Sequence, residues 1–353
     1  MDDLSAVREE VRAVPGPSQE TVARGRARLH AHIARERAPR RSPRLTTVSM
    51  GLAGAAAAAA LVLSSAAPPS LPAPVRPTAQ QILLAAATSV AKQPNDGAWW
   101  GNNLVRGIRV REPGNRYTLQ VTASEETWIP VGKQDSHWIV RRYLGARPAT
   151  PQDEAAWQAD GSPSVWPYQN GAPGTLLGAD PDRLEAAPGQ AESHESADVN
   201  WRLMFASKPL TKMDELPASP EKLRALLEPA PGDVPGLLEN LASLIVYVPV
   251  PSEVRAAAYQ LMASLPGVTA QGRATDQLGR SGQAVVYRQP DFTRPDRAIQ
   301  TRLIVDSATG APLAVETLTP DSGELIRFTA VKQSTWTDQK PDLPNPHPLK
   351  EGN

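Results

Sequence analysis

The sequence predicts an α+β fold: a curved antiparallel sheet with helices on one face, preceded by one transmembrane helix and a short helical cytoplasmic segment. Three observations predict it. Leu45–Ala67 is an uncharged run of 23 mostly small and apolar residues, about the length that crosses a bilayer as a helix. Between residues 219 and 265 apolar side chains recur at helical spacing, and from 268 onward they alternate as in strands. All of the 8 Trp, 6 Tyr and 3 Phe lie from Trp99 onward. A packed core needs such large side chains, which places the globular unit C-terminal to the apolar run.

The first element is a basic segment, 1–44. It holds 10 Arg against 6 acidic residues, and Arg24, Arg26, Arg28, Arg35, Arg37, Arg40, Arg41 and Arg44 face only Glu36. Leu4, Val7, Val11 and Val14 form one helical stripe, ended by Pro15-Gly16-Pro17. Val22, Leu29 and Ile33 form a second. Neither stripe can close a core alone. One reading is a docking element that engages a cytosolic protein through Leu4, Val7, Val11, Leu29 and Ile33. The other is a basic tail on anionic headgroups. Arg35, Arg37, Arg40, Arg41 and Arg44 precede the apolar run and set its topology, N-terminus cytoplasmic and C-terminal domain extracytoplasmic, in the cell membrane. The alternative is a cleaved signal, for which Ser64–Ala67 offers small residues and Arg40-Arg41 a twin arginine. A 44-residue leader is long for that role.

Residues 68–77, half of them Pro, form a semi-rigid spacer. The extracytoplasmic α+β domain is expected over 78–340. Thr78 followed by Gln81 is a capping-box pattern, and Ile82, Leu83, Ala86 and Val90 continue a helix. Tyr117, Leu119 and Val121 alternate with polar residues as a strand does, and Trp138-Ile139-Val140 is a second strand. The stretch 145–200, rich in Pro, Ala, Gly and acidic residues, reads as a long irregular excursion. Ser219-Pro220 is a cap followed by Pro at the first helical position. Leu237, Leu238, Leu241 and Leu244 mark one helix, and Val254, Leu261 and Leu265 the next. Val285–Tyr287, Leu303–Val305, Leu313–Thr317 and Ile326–Ala330 then read as a meander, with Asp306–Gly310 as a hairpin loop. An apolar cleft between helices and sheet is the natural place for any ligand; the other reading is a cleft filled by its own side chains. Residues 341–353 are expected to be a disordered tail.

The order of the basic helices, Ala-rich run, Pro-rich spacer, Ile82–Ala87, Leu216–Leu227 and Asp306–Leu313 resembles an uncharacterised family of actinobacterial single-pass membrane proteins. Members are often encoded beside extracytoplasmic-function sigma factors. The resemblance implies a regulatory or sensor role linked to sigma-factor signalling. The alternative is a tethered carrier module for an apolar ligand. The outer domain also loosely resembles the half-barrels of periplasmic lipoprotein carriers. The chain departs from zinc-containing anti-sigma factors, which need Cys ligands.

Composition narrows the chemistry. Lys+Arg and Asp+Glu are both 37, which argues against a generally basic nucleic-acid binder. The absence of Cys removes disulfides, thiolate zinc sites and cysteine nucleophiles. No phosphate loop, HExxH or GxSxG motif occurs. His30 and His32 are two apart, so they fall on different faces of a helix. His137 reads as a solvated or hydrogen-bonded strand residue, and His194 lies in a polar stretch. Trp99-Trp100 reads as strand core or as a ligand platform. Arg106, Arg109, Arg111, Arg141 and Arg142 read as a solvated sheet face or an anion site. No catalytic, metal-binding or cofactor-binding residue is expected, and the chain is read as a non-enzyme without a cofactor.

Overall fold

A computed structural model describes residues 76–132, 136–169, 171–197, 216–291 and 294–348. The chain divides into two units, Met1–Ser70 and Leu71–Asn353. The first lies outside the described residues, and the second is described here. The stripes of 1–44, the run 45–67 and most of the spacer 68–77 therefore lie outside the described residues, as do Leu4, Val7, Val11, Leu29, Ile33, Arg35, Arg37, Arg40, Arg41 and Arg44.

The chain enters through helix α1 (Ala79–Val90). Thr78 caps it as its sequence requires: Gln81 N donates to Thr78 Oγ1 at 3.2 Å, and Thr78 N donates to Gln81 Oε1 at 2.9 Å. Three long strands follow, β1 (Trp99–Arg111), β2 (Thr118–Pro130) and β3 (His137–Pro148). The next segment holds α2 (Pro151–Ala159), the short strands β4 (Val165–Pro167) and β5 (Arg183–Glu185), and β6 (Ala191–Ser196). Helices α3 (Pro220–Leu227), α4 (Val234–Tyr247) and α5 (Ser252–Ser264) come next. A meander completes the order: β7 (Thr269–Thr275), β8 (Ser281–Asp291), β9 (Arg294–Asp306), β10 (Ala311–Leu318) and β11 (Leu325–Thr337), followed by β12 (Pro346–His347).

Ten strands form one sheet in the order β12-β6-β3-β2-β1-β11-β10-β9-β8-β7, and β4 and β5 pair as a separate hairpin. The last long strand returns to the first. β11 pairs antiparallel with β1, from Trp99 opposite Thr337 to Ile108 opposite Arg327. Among the described strands only β12 runs parallel to its neighbour.

Two of the three apolar clusters among the described residues lie on the same side of this sheet. Leu104 of β1 shares one cluster with Val285, Tyr287, Leu303, Val305 and Val331 of the meander and with α1, α3, α4 and α5. Leu119, Val121 and Ala123 of β2 share the other with Ala146 and the segment 156–184. In the registers of β1 with β2 and β11, Leu104 lies opposite Glu125 and Val331, and Ile108 lies opposite Val121. Leu104 and Ile108 are four apart, so they share a face. The stripe Leu237, Leu238, Leu241, Leu244 and Ile245 of α4 is fully buried. Gly310 lets α1 settle on the β9–β10 turn. Its φ is +75°, and a Cβ there would stand 2.4 Å from Ala86 O.

This architecture corrects the expected fold class. The described chain is dominated by one large sheet, with five helices among the described residues. None of those helices is long and apolar enough to cross a membrane. The transmembrane helix set in front of the sheet is thus not supported, and its run, 45–67, lies outside the described residues. The sheet was underweighted for a physical reason. Register shifts leave one extra residue in each of two strands, Lys332 in β11 and Leu144 in β3, and break the alternation there, so these strands of 13 and 12 residues read as short runs.

Two further expectations change. Among its described residues the excursion at 145–200 is not irregular: it carries α2, the β4–β5 hairpin and β6. In the tail, Pro346–His347 adds to β6, and Ser193 Oγ donates to Pro344 O at 2.7 Å.

Candidate functional site

The two clusters are covered by different segments, and a cleft of about 640 Å³ opens where the coverings fail to meet. Its floor is the sheet: Ile108 of β1, Val315 and Thr317 of β10, and Thr329 of β11. One wall is α4, which presents Glu239, Ser243 and Tyr247. These residues are spaced by four, so they lie along one edge of the helix, beside its buried leucine stripe. The other wall is the loop Ala172–Leu177. Gly174 lets that loop approach the sheet: its φ is +96°, and a Cβ would stand 3.2 Å from Val121 Cγ1.

The lining mixes apolar side chains with polar and charged ones, several of them fixed by hydrogen bonds. Tyr247 donates its hydroxyl to Thr329 Oγ1 at 3.0 Å. Burial raises its pKa, keeping the phenol protonated. Arg106 lies over the Tyr247 ring, 5.6 Å from its centroid, and pairs with Glu125 at 3.1 Å. Its Nε is buried without a hydrogen-bond partner. Arg327 donates from Nε to Thr317 Oγ1 at 3.0 Å. Glu239 accepts from Gln289 Nε2 at 3.0 Å. The cleft thus holds apolar side chains between α4 and the loop, the guanidinium groups of Arg106 and Arg327, and the carboxylate of Glu239.

The structure disperses the five arginines read as a face or anion site. Arg106 enters the cleft, and Arg141 shares Glu125 with it from β3. Arg142 donates to Gly189 O at 3.0 Å. Arg109 is half-buried and its Nε has no hydrogen-bond partner, and Arg111 is exposed. Trp100 is fully buried as strand core, and Trp99 beside it is half-buried. His137 is buried in β3. His194 stacks on His347 at 4.9 Å, with Glu192 at 3.5 Å. Among the described residues no group of three or more His, Asp or Glu is placed to hold a metal.

Sequence reasoning missed Tyr247, Arg327 and the loop at Gly174. Tyr247 ends the apolar stripe of α4 and reads as one more core residue. Nothing in the spacing of 172–177 signals that it crosses the sheet.

No family model matches the chain, and no curated protein matches it. Neither comparison reaches the actinobacterial membrane family that the motif order resembles. Among solved structures, a chain from the Pseudomonas aeruginosa MucA/MucB complex is similar at 13% identity with a TM-score of 0.22. That likeness covers 73% of this chain and 56% of the other. The chain thus spans little more than half the length of that neighbour, and a superposition this loose fixes neither fold nor function.

Proposed function

We propose that this protein is a regulatory sensor whose folded domain binds an amphiphile in the cleft between α4 and the loop 172–177. The supporting observation is the cleft itself. It has the size of a small-ligand site, apolar side chains from the sheet and the loop, and oriented polar groups among them. In this reading the domain acts outside the cytoplasm at the cell membrane. The basic segment 1–44 lies on the cytoplasmic side and engages a regulatory protein such as a sigma factor through Leu4, Val7, Val11, Leu29 and Ile33. The support for that half is the charge order of the sequence and the family resemblance. No reaction is assigned to the domain.

The test is titration of the full chain with a fluorescent fatty acid. Saturable binding is expected. Ser243→Trp, which fills the cleft from an incompletely buried helix position, should weaken it at least about tenfold, a change near 1.4 kcal/mol, with little change in melting temperature. Absence of saturable binding, or a Ser243→Trp variant that binds like the parent, overturns the cleft reading. The regulatory half is read by co-purification of a sigma factor with and without the fatty acid. Binding with no responding partner favours the carrier alternative.

A further inference from the structure

We infer that a second site, lined by Arg255 and Ser334 and separate from the cleft, binds a small oxyanion group, a phosphate or a carboxylate. It is a cavity of about 280 Å³ that shares no lining residue with the cleft. Its walls are the segment after α1, the start of α5, the β9–β10 turn and the second half of β11.

The observation that carries this is a charge without a counter-charge. Arg255 is only 8% exposed. It lines the cavity, its Nε meets no hydrogen-bond partner, and its Nη2 reaches Val248 O only at 3.4 Å. Among the described residues no carboxylate pairs with it. Burying an unpaired guanidinium is costly, and the cost falls when an anion completes the fork. Burial also lowers the pKa of Arg255, the direction expected where a cation lacks its partner.

The surroundings distinguish this arginine from its neighbour. Arg280 lines the same cavity but is fully employed. It pairs with Asp276 at 2.6 Å and donates to Val331 O at 2.7 Å and to Leu313 O at 2.9 Å. Arg280 is therefore a structural clamp between the start of β10 and the middle of β11. Arg255 has no such set.

A second group is also unused: Ser334 Oγ is buried in the cavity wall without a hydrogen-bond partner. Lys332 lines the cavity from an exposed position and adds positive charge. Arg255 sits in the first turns of α5, where the backbone dipole favours an anion. The nearest acid on that helix, Glu253, is exposed and held by Asn95 Nδ2 at 3.0 Å. The volume of about 280 Å³ admits a phosphate ester or a short carboxylate.

The experiment is thermal unfolding of the full chain in chloride buffer, with inorganic phosphate, glycerol 3-phosphate or acetate added at constant ionic strength. At least one anion should raise the melting temperature by about 4 °C or more as its concentration passes well beyond its dissociation constant. A larger response to glycerol 3-phosphate than to phosphate identifies an esterified head, and a response to acetate alone identifies a carboxylate. Arg255→Met should abolish the response and melt no lower than the parent in chloride. Should that variant not fold, Arg255→Lys keeps a charge and loses the fork, and its apparent affinity should fall at least about tenfold. The inference is overturned if no anion shifts the parent, if Arg255→Met responds as the parent does, or if Arg255→Lys binds with parental affinity.

Discussion

One face of the sheet carries two coverings built by different means. Over β1 and the meander, the helices bury a long series of Leu, Ile and Val side chains, beside separate hydrogen bonds to the sheet such as Asn102 Nδ2 to Val246 O at 3.1 Å and the Tyr259 hydroxyl to Gly310 O at 3.1 Å. Over β2 and β3, the segment 150–187 buries fewer large aliphatic groups and is tied down by directional bonds. Tyr117 stands at the centre of those bonds. It accepts from Trp166 Nε1 at 2.9 Å and donates to Asp160 Oδ2 at 3.0 Å. Arg116 pairs with both Asp160 and Glu112. Tyr143 donates to Glu185 O and Tyr168 to Arg111 O. Burial pushes the Tyr168 phenol up to about 12, so it remains a donor. A regular helical stripe can be held by area alone, whereas a segment of short elements needs specified partners to lie in one place. The cleft lies at the seam between these two modes of attachment.

The comparison can be broken most directly in the helical covering. Leu241 is fully buried, and Leu241→Ala should cost about 2–5 kcal/mol, read by urea unfolding of the full chain. A change under about half a kcal/mol would place the helix stripe against something other than the sheet. Next in size is Tyr117→Phe. It leaves the Trp166 N–H and the Asp160 carboxylate short of a partner, at about 1–3 kcal/mol. Hydrogen exchange should show the loss across 150–187 and not in α4 or α5. Equal loss in both coverings would mean that they are not separate units.

The smallest effect is the pH dependence. Burial raises the pKa of Glu112, but bonds from the Arg116 side chain, the Arg116 backbone and the Gly114 backbone outweigh it, and the net shift is downward. The folded carboxylate is thus more acidic than the unfolded one. Its contribution is fully present above the ordinary carboxylate range and is lost as pH falls through and below that range. Protection of 150–187 should weaken on acidification before that of the helices, and Glu112→Gln should flatten the difference. Simultaneous loss in both regions would contradict this assignment.

The two coverings also differed in how far they could be read from sequence. Thr78 with Gln81, Ser219 with Pro220, and the α4 leucines are local signals, and each marks its helix without reference to the rest of the chain. The β9–β10 loop was legible in the same way, because Asp306, Thr309 and Gly310 supply its turn bonds. The second covering had no such signature. Its order rests on Tyr117 meeting Trp166 and Asp160 more than 40 residues away, and no periodicity reports a contact of that kind. The candidate sites were illegible for the same reason. Arg106 and Tyr247 meet across 141 residues of chain, and Arg255 is one arginine within an otherwise apolar helix face.

The pairing of β1 with β11 sets an order of events during synthesis. Trp99 finds its partner at Thr337, so one long side of β1 stays open until Leu325–Thr337 has been made. Until then β1, β2 and β3 can form a hairpin stack, but it presents a bare strand edge and uncovered apolar side chains. Such an edge is a template for another copy of the same segment, and contacts this distant along the chain form slowly. Self-association of emerging chains therefore competes with closure of the sheet, and the residues that end this competition are 325–337.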